Sequence, residues 1–351
     1  MNRKAIVIGG GVAGMEAAAT LTGLGVEVIL IEKEDRLGGH VRNWDRLFPN
    51  FRKSEEILGP MENALNDGIS VVLNAQVKEI RKNGKDFLVK LENGQEVSGR
   101  AILMATGYDL FNARRKEEYG YGIYDNVITS AELEDFLRKN RQPNVFTGIR
   151  SRRVGIIHCV GSRDEKAGNL YCSKLCCVTG VKQAIEIKQL MPEADIFCFY
   201  MDLRMFDRHF EELYYEAQQK WGIHFIRGRL SEAFENPDHS LLVKVEDTLT
   251  GLPLKMSVDL LILLVGFVPS AETKRLAAMM NLPAGDDGFL VPADEHLETN
   301  RSPIEGVFLA GAVKGPFSIP GTLADARSAA LAVKAFLGKE EIQDTRKKEP
   351  G

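Results

Sequence analysis

The chain opens with a short apolar run, Lys4–Ile8, that stops at glycines, followed by an alanine-rich stretch over residues 12–25 and a second apolar run over 26–31. This pattern predicts a buried strand, a helix and a second buried strand. Alternating segments at 71–73, 77–80 and 87–91, separated by Asn83-Gly84 and Asn93-Gly94, predict a small antiparallel meander. A further strand, Ala101–Met104, ends abruptly at Ala105-Thr106-Gly107. After the polar stretch Arg141-Gln142-Pro143 the pattern starts afresh. Residues 154–159 predict a strand, 173–190 a helix and Asp195–Tyr200 a strand, which is a second βαβ unit. An amphipathic stretch at 208–220, a strand at 223–226 and a hairpin through Thr250-Gly251 complete it. Apolar residues 260–266 then return the chain to the first domain, and 306–311 precede a final helix over 322–337.

The expected fold is α/β, with two Rossmann-like dinucleotide-binding domains and the second inserted in the first. Residues 1–115 and 259–338 would form one domain, 116–258 the other, and the polar stretch 339–351 a disordered tail. A length of 351 residues with 44% hydrophobic and 27% charged content supports two cores. The net charge of -4 offers no basic excess, so nucleic acid is not an expected partner. No apolar run approaches the roughly 20 residues of a membrane-spanning helix, and no cleaved signal is apparent. A cytoplasmic protein is expected.

Gly9, Gly11 and Gly14 stand between the first strand and the first helix. In that setting the first glycine makes a tight turn, the second lets backbone approach a pyrophosphate and the third allows the helix to pack on the strand. The helix N-terminus near Val12 and Ala13 would offer N–H groups and partial positive charge to a diphosphate. Glu32, at the end of the next strand, suits ribose hydroxyls. Strand, glycine loop, helix and terminal acid together predict a bound dinucleotide.

Further pieces, namely Gly38-Gly39, Ala105-Thr106-Gly107 and the run from Gly306 to Gly311, resemble the two-dinucleotide-binding-domain flavoproteins over residues 3–338. The resemblance implies FAD and a thioredoxin-reductase-like fold. It adds Lys33, Gly39, His40, Val77, Ala105, Thr106, Gly107, Gly311, Ala312 and Thr322 as candidate FAD contacts. In that family an aspartate usually follows the last glycine and holds the ribityl chain. Ala312 stands there in this chain, which puts that one contact in doubt. The helix expected from Thr322 would aim its N-terminus at the pyrimidine end of the flavin, although ordinary packing explains such a helix equally.

Where the second βαβ unit would carry its own glycine loop, Gly161 alone remains, so nicotinamide binding is not expected there. Cysteines take the place: of the five in the chain, Cys159, Cys172, Cys176 and Cys177 cluster here. Four thiolates suit a tetrahedral zinc or a [4Fe-4S] cluster, with a redox disulfide or buried free thiols as the plainer readings. Cys198, on an apolar strand, reads as core. The run from Cys159 to Asp164, Tyr171 to Cys177 with Lys182, and the Gly315-Pro316 and Ile319-Pro320 pairs resemble the flavin-carrying A subunits of heterodisulfide reductases. That resemblance implies a [4Fe-4S] cluster on the four cysteines, beside FAD, in an electron-transfer subunit.

The chain lacks the added ferredoxin modules of the methanogen subunits. It is similar to the short form found in heterodisulfide reductase-like complexes of sulfur oxidisers, and to the corresponding subunit of a quinone-interacting oxidoreductase. Other subunits of such a complex, and a second copy in a homodimer, are the partners this implies. The expected activity is a flavin-dependent oxidoreductase in disulfide or sulfur redox metabolism. The alternatives are a stand-alone NAD(P)H-dependent thiol-disulfide reductase and a flavin-stabilised scaffold with structural zinc. Lys182, on the helix behind the cysteines, is the candidate catalytic residue, placed to favour reduced flavin, unless it is a solvated helix lysine.

Overall fold

The computed structural model describes residues 4–139 and 153–346. Helices among them are α1 (Val12–Gly23), α2 (Glu55–Asn63), α3 (Ser130–Lys139), α4 (Cys176–Leu190), α5 (Phe210–Gln219), α6 (Ala271–Met280) and α7 (Ile319–Arg346). The chain forms two compact units. The first comprises Met1–Arg42, Glu55–Asp109 and Val268–Gly351, the second Asn43–Ser54 and Leu110–Phe267.

In the first unit, five parallel strands run in the order Val307–Leu309, Ala101–Met104, Lys4–Ile8, Glu27–Ile31 and Ile69–Val72. Ala5, Val7, Leu30 and Leu103 point to one face, where they bury against Ala17, Leu21, Ala326 and Ala330 from helices α1 and α7. Small residues on both helices let them pack closely on the sheet. Val77–Asn83, Asp86–Leu91 and Glu96–Gly99 form an antiparallel three-stranded sheet.

The second unit repeats this plan. Its parallel sheet runs Val127–Thr129, Leu260–Val265, Arg153–Val160, Asp195–Tyr200 and His224–Arg227, and its antiparallel sheet comprises Leu230–Glu235, Leu241–Asp247 and Leu252–Val258. Leu260–Val265 is buried at every position, as a strand covered on both faces must be.

Several expectations change. Ile69–Val72 belongs to the parallel sheet, paired with Glu27–Ile31, and not to the meander; four residues are too few for alternation to tell an edge strand from a hairpin arm. The second unit begins and ends elsewhere than the expected 116–258, and it also takes Asn43–Ser54. Leu260–Val265 is an interior strand of its sheet and does not lead back into the first unit. The last helix starts at Ile319 and continues through Arg346, so residues 339–346 are helical and not a disordered tail. Residues 347–351 and the polar stretch Arg141–Pro143 lie outside the described residues. No described helix is long and apolar enough to cross a membrane.

Candidate functional site

In the first unit the glycine fingerprint closes the loop as its spacing requires. Gly9 has a φ of +108°, and a Cβ on Gly14 would lie 1.8 Å from the Gly9 carbonyl oxygen. Only glycine permits that helix-to-strand approach. A Cβ on Gly9 would meet the Ala105 carbonyl, one on Gly39 would lie 3.2 Å from the Gly11 Cα, and one on Gly311 would lie 2.7 Å from the Ala13 Cβ and 3.3 Å from Thr322. Segments far apart in sequence therefore converge on the start of α1. Gly11 caps this helix without a side-chain hydrogen bond, and no acidic residue occupies the first turn. The N–H groups there are left for an anion.

Glu32 is 7% exposed, and its carboxylate accepts hydrogen bonds from the Gly10 N–H at 2.6 Å and the Glu34 N–H at 2.9 Å. It thus braces the loop as well as standing at the strand end. Lys33 is exposed and lies 3.6 Å from Glu34. His40 stacks on Tyr108 at 4.6 Å, and its Nε2 is 2.8 Å from the Tyr108 carbonyl oxygen. Val77 is buried and Gly107 has a φ of +66°. The Thr106 hydroxyl lies 2.6 Å from that of Thr273.

The final helix starts earlier than expected, at Ile319. Thr322 sits inside the first turn, its N–H donating to the Ser318 carbonyl, while the Gly321 N–H donates to the Ser318 hydroxyl. Ser318 therefore satisfies part of this helix end. Asp325 on α7 is the carboxylate that sequence reasoning missed at Ala312. It accepts from the Gly311 N–H at 2.6 Å, from the Lys314 ammonium at 2.7 Å and from the Asn300 amide at 3.0 Å. The signal was an acid placed one helical turn beyond Thr322, in line with the Gly311 loop.

In the second unit the strand Arg153–Val160 runs into the cysteine loop. Cys159, Gly161, Arg163 and Lys174 all take left-handed backbone, with φ of +61°, +74°, +52° and +59°, and this folds the loop back on itself. The Cys159 and Cys176 thiols are neighbours whose titrations depend on each other. The Lys174 N–H donates to the Cys172 sulfur at 3.3 Å, and the Arg204 N–H to the Cys177 sulfur at 3.4 Å. The neighbouring Cys176 thiol, with Arg163, Arg204 and Arg229 nearby, lowers the Cys159 thiol to about 7 despite its burial. Cys176 moves the other way, raised by Cys159 and by burial, and burial raises Cys177 to about 11. Among the described residues no three His, Cys, Asp or Glu side chains are grouped to hold a single metal ion as they stand. What the loop offers is four neighbouring sulfurs, those of Cys172 and Cys177 taking backbone N–H donors, with three arginines near Cys159, the thiol whose ionised form the surroundings favour. Cys198 is fully buried core, as expected.

Lys182 is the main correction. It is neither solvated nor free to act as a catalytic charge. At 2% exposure its ammonium donates to the Arg46 carbonyl at 2.9 Å, pairs with Glu134 and lies 3.0 Å from Glu186. Glu134 reaches it from α3 and Glu186 from the next turn of α4, and burial of the ion forces this pairing. His158, one residue before Cys159, is buried with neither ring nitrogen partnered, and that burial lowers it to about 3. It is a neutral imidazole under Gly180 of α4, where a Cβ would lie 2.7 Å from its ring.

A model of the pyridine nucleotide-disulphide oxidoreductase family matches residues 1–147 and 177–336. The chain belongs to that family. Family membership supports FAD as the cofactor and makes the protein a flavin-dependent oxidoreductase. The stretch between the two matched segments holds Cys159, Cys172 and Cys176.

Among curated relatives, the A subunit of the H(2):CoB-CoM heterodisulfide,ferredoxin reductase of Methanothermobacter marburgensis is 32% identical, over 97% of this chain and 65% of that protein. The iron-sulfur A subunit of the CoB-CoM heterodisulfide reductase of Methanocaldococcus jannaschii is 31% identical, over 98% and 65%. These relatives bear out the resemblance drawn from the cysteine run. The chain spans less than two thirds of their length, 65% in each case. Thioredoxin reductases of T. acidophilum (TM-score 0.66, 16% identity, 95% of this chain and 98% of that one) and Lactococcus lactis (TM-score 0.64, 19% identity, 96% and 99%) share the fold.

Proposed function

We propose that the protein is an electron-transfer subunit holding FAD in its first unit and a [4Fe-4S] cluster on Cys159, Cys172, Cys176 and Cys177 in its second. It would work with other subunits of a heterodisulfide reductase-like complex in disulfide or sulfur redox metabolism. The observation that carries this reading is the cysteine loop itself. It stands where a second dinucleotide loop would lie, and it brings backbone donors to the Cys172 and Cys177 sulfurs and three arginines near Cys159. The Methanocaldococcus jannaschii relative, named as an iron-sulfur subunit, supports the same reading.

When bound, the two groups supply one- and two-electron chemistry. The chain's own residues do the rest. The α1 N-terminus with Gly9, Gly11 and Gly14 binds the diphosphate of FAD, Glu32 binds ribose, and Gly311, held by Asp325, borders the cofactor. Arg163, Arg204 and Arg229 offset negative charge on the sulfurs. The thioredoxin-reductase-type alternative needs a nicotinamide loop, and the only glycine left at that position, Gly161, packs against Phe111.

Cys159→Ala tests the assignment. A disulfide among Cys172, Cys176 and Cys177 has no need of Cys159, whereas each iron of a cubane takes one thiolate. Iron and the visible absorption of the cluster should fall by more than half while FAD content is unchanged. Full retention of iron by the variant would remove Cys159 from the ligand set.

A further inference from the structure

The second unit contains a cavity that opens to solvent. Trp44, Phe48 and Phe267 line it, together with Arg46, Lys182 and Gln183. All six belong to the second unit.

The Lys182 ammonium at the polar part of the lining meets three oxygens and is matched by Glu134 and Glu186. Two other hydrogen bonds are missing. Gln183 has no exposed surface, and its amide nitrogen donates to the Ser130 carbonyl at 2.9 Å and to Glu134 at 2.7 Å. These bonds fix the amide, and its Oε1 is a buried acceptor without a partner. The buried Arg46 Nε–H is a donor without one, although Arg46 also donates to the Phe51 carbonyl at 3.1 Å. Buried polar groups are nearly always satisfied, so an orphaned acceptor and an orphaned donor on one aromatic-lined cavity point to a ligand.

We propose that this cavity binds a small planar ring carrying an N–H beside a carbonyl or ring-nitrogen acceptor, as in a lactam or carboxamide. The N–H would donate to Gln183 Oε1, the acceptor would take the Arg46 Nε–H, and the ring faces would meet Trp44, Phe48 and Phe267. Cys176, one of the four proposed cluster ligands, also lines the cavity.

The probe is quinazolin-4-one, an uncharged bicyclic lactam, with isoquinoline as a control of similar size that lacks the N–H. Both are titrated by calorimetry into the flavin-loaded full chain, and Trp44 fluorescence is followed in a Trp221→Phe background. Quinazolin-4-one should bind at least about tenfold more tightly than isoquinoline and quench Trp44. Gln183→Leu should weaken quinazolin-4-one about tenfold and leave isoquinoline unchanged. Arg46→Lys, which keeps the backbone carbonyl that holds Lys182, should weaken both and serves if Gln183→Leu does not fold. Absence of heat and of quenching, or equal affinity for quinazolin-4-one in the parent and in the variant that folds, overturns the proposal.

Discussion

The two units share one plan, a parallel five-stranded sheet with a three-stranded antiparallel sheet, yet they differ where the first βαβ strand hands over to its helix. In the first unit Lys4–Ile8 reaches α1 across Gly9 and Gly11, with bare backbone N–H groups at the helix end. In the second, Arg153–Val160 reaches α4 through a long loop of left-handed turns that carries the cysteines. Each helix approaches its strand over a glycine. Gly14 meets a backbone carbonyl, whereas Gly180 meets the side chains of His158 and Leu264. A backbone oxygen cannot move aside, and side-chain ends can. The same architecture thus carries a rigid glycine loop in one unit and a sulfur-lined loop in the other.

This contrast can be broken by substitution. Gly14→Ala places a methyl group against the Gly9 carbonyl, and its expected effect is the largest: loss of bound flavin and of most soluble protein, read by flavin absorbance after gel filtration. In the second unit the loop is tied by Asp164, whose side chain is 2% exposed and pairs with Lys116 at 2.8 Å and with Arg229. Asp164→Asn should lower stability by about 3 kcal/mol, the low end for breaking a buried pair because Arg229 can hydrate. Burial pushes the Asp164 carboxyl up, but Lys116 and Arg229 outweigh it and hold it below its usual value. A depressed native value means the unfolded chain takes the proton first. The stabilisation is therefore full above about pH 4 and fades as pH falls further. Urea midpoints at pH 5 and pH 3 should converge between parent and variant at the lower pH.

A smaller effect is expected from Glu32→Ala, which should weaken FAD retention by about 1.5–3 kcal/mol without unfolding the chain. Unchanged flavin occupancy after dilution would count against Glu32 as a ribose ligand. Smallest is Gly180→Ala, at about 1 kcal/mol of overpacking, since His158 and Leu264 can shift. A thermal midpoint as strongly lowered as that of Gly14→Ala would show that the second unit is as rigid as the first.

Much of the first unit was legible because its signals are local. Gly9, Gly11, Gly14 and Glu32 lie within one βαβ unit, where spacing carries geometry. The crowding of thiols around one strand-to-helix junction was legible for a related reason, since the cysteines lie close together in the sequence. What escaped depends on long-range packing. Asp325 reaches Gly311 from another element, and Glu134 meets Lys182 across two helices. No periodicity in the α4 segment says that Lys182 is buried between acids, and a polar residue there reads as surface. The strand Ile69–Val72 and the helical continuation to Arg346 were missed because short alternation and charged helix ends look like loop.

The central claim, that the second unit has exchanged a dinucleotide loop for a cluster site, is tested most directly by composition. Iron, acid-labile sulfide and FAD are measured on the full chain purified without oxygen. The account predicts about four iron and four sulfide per FAD. Zinc alone, or no metal with full FAD, would contradict it.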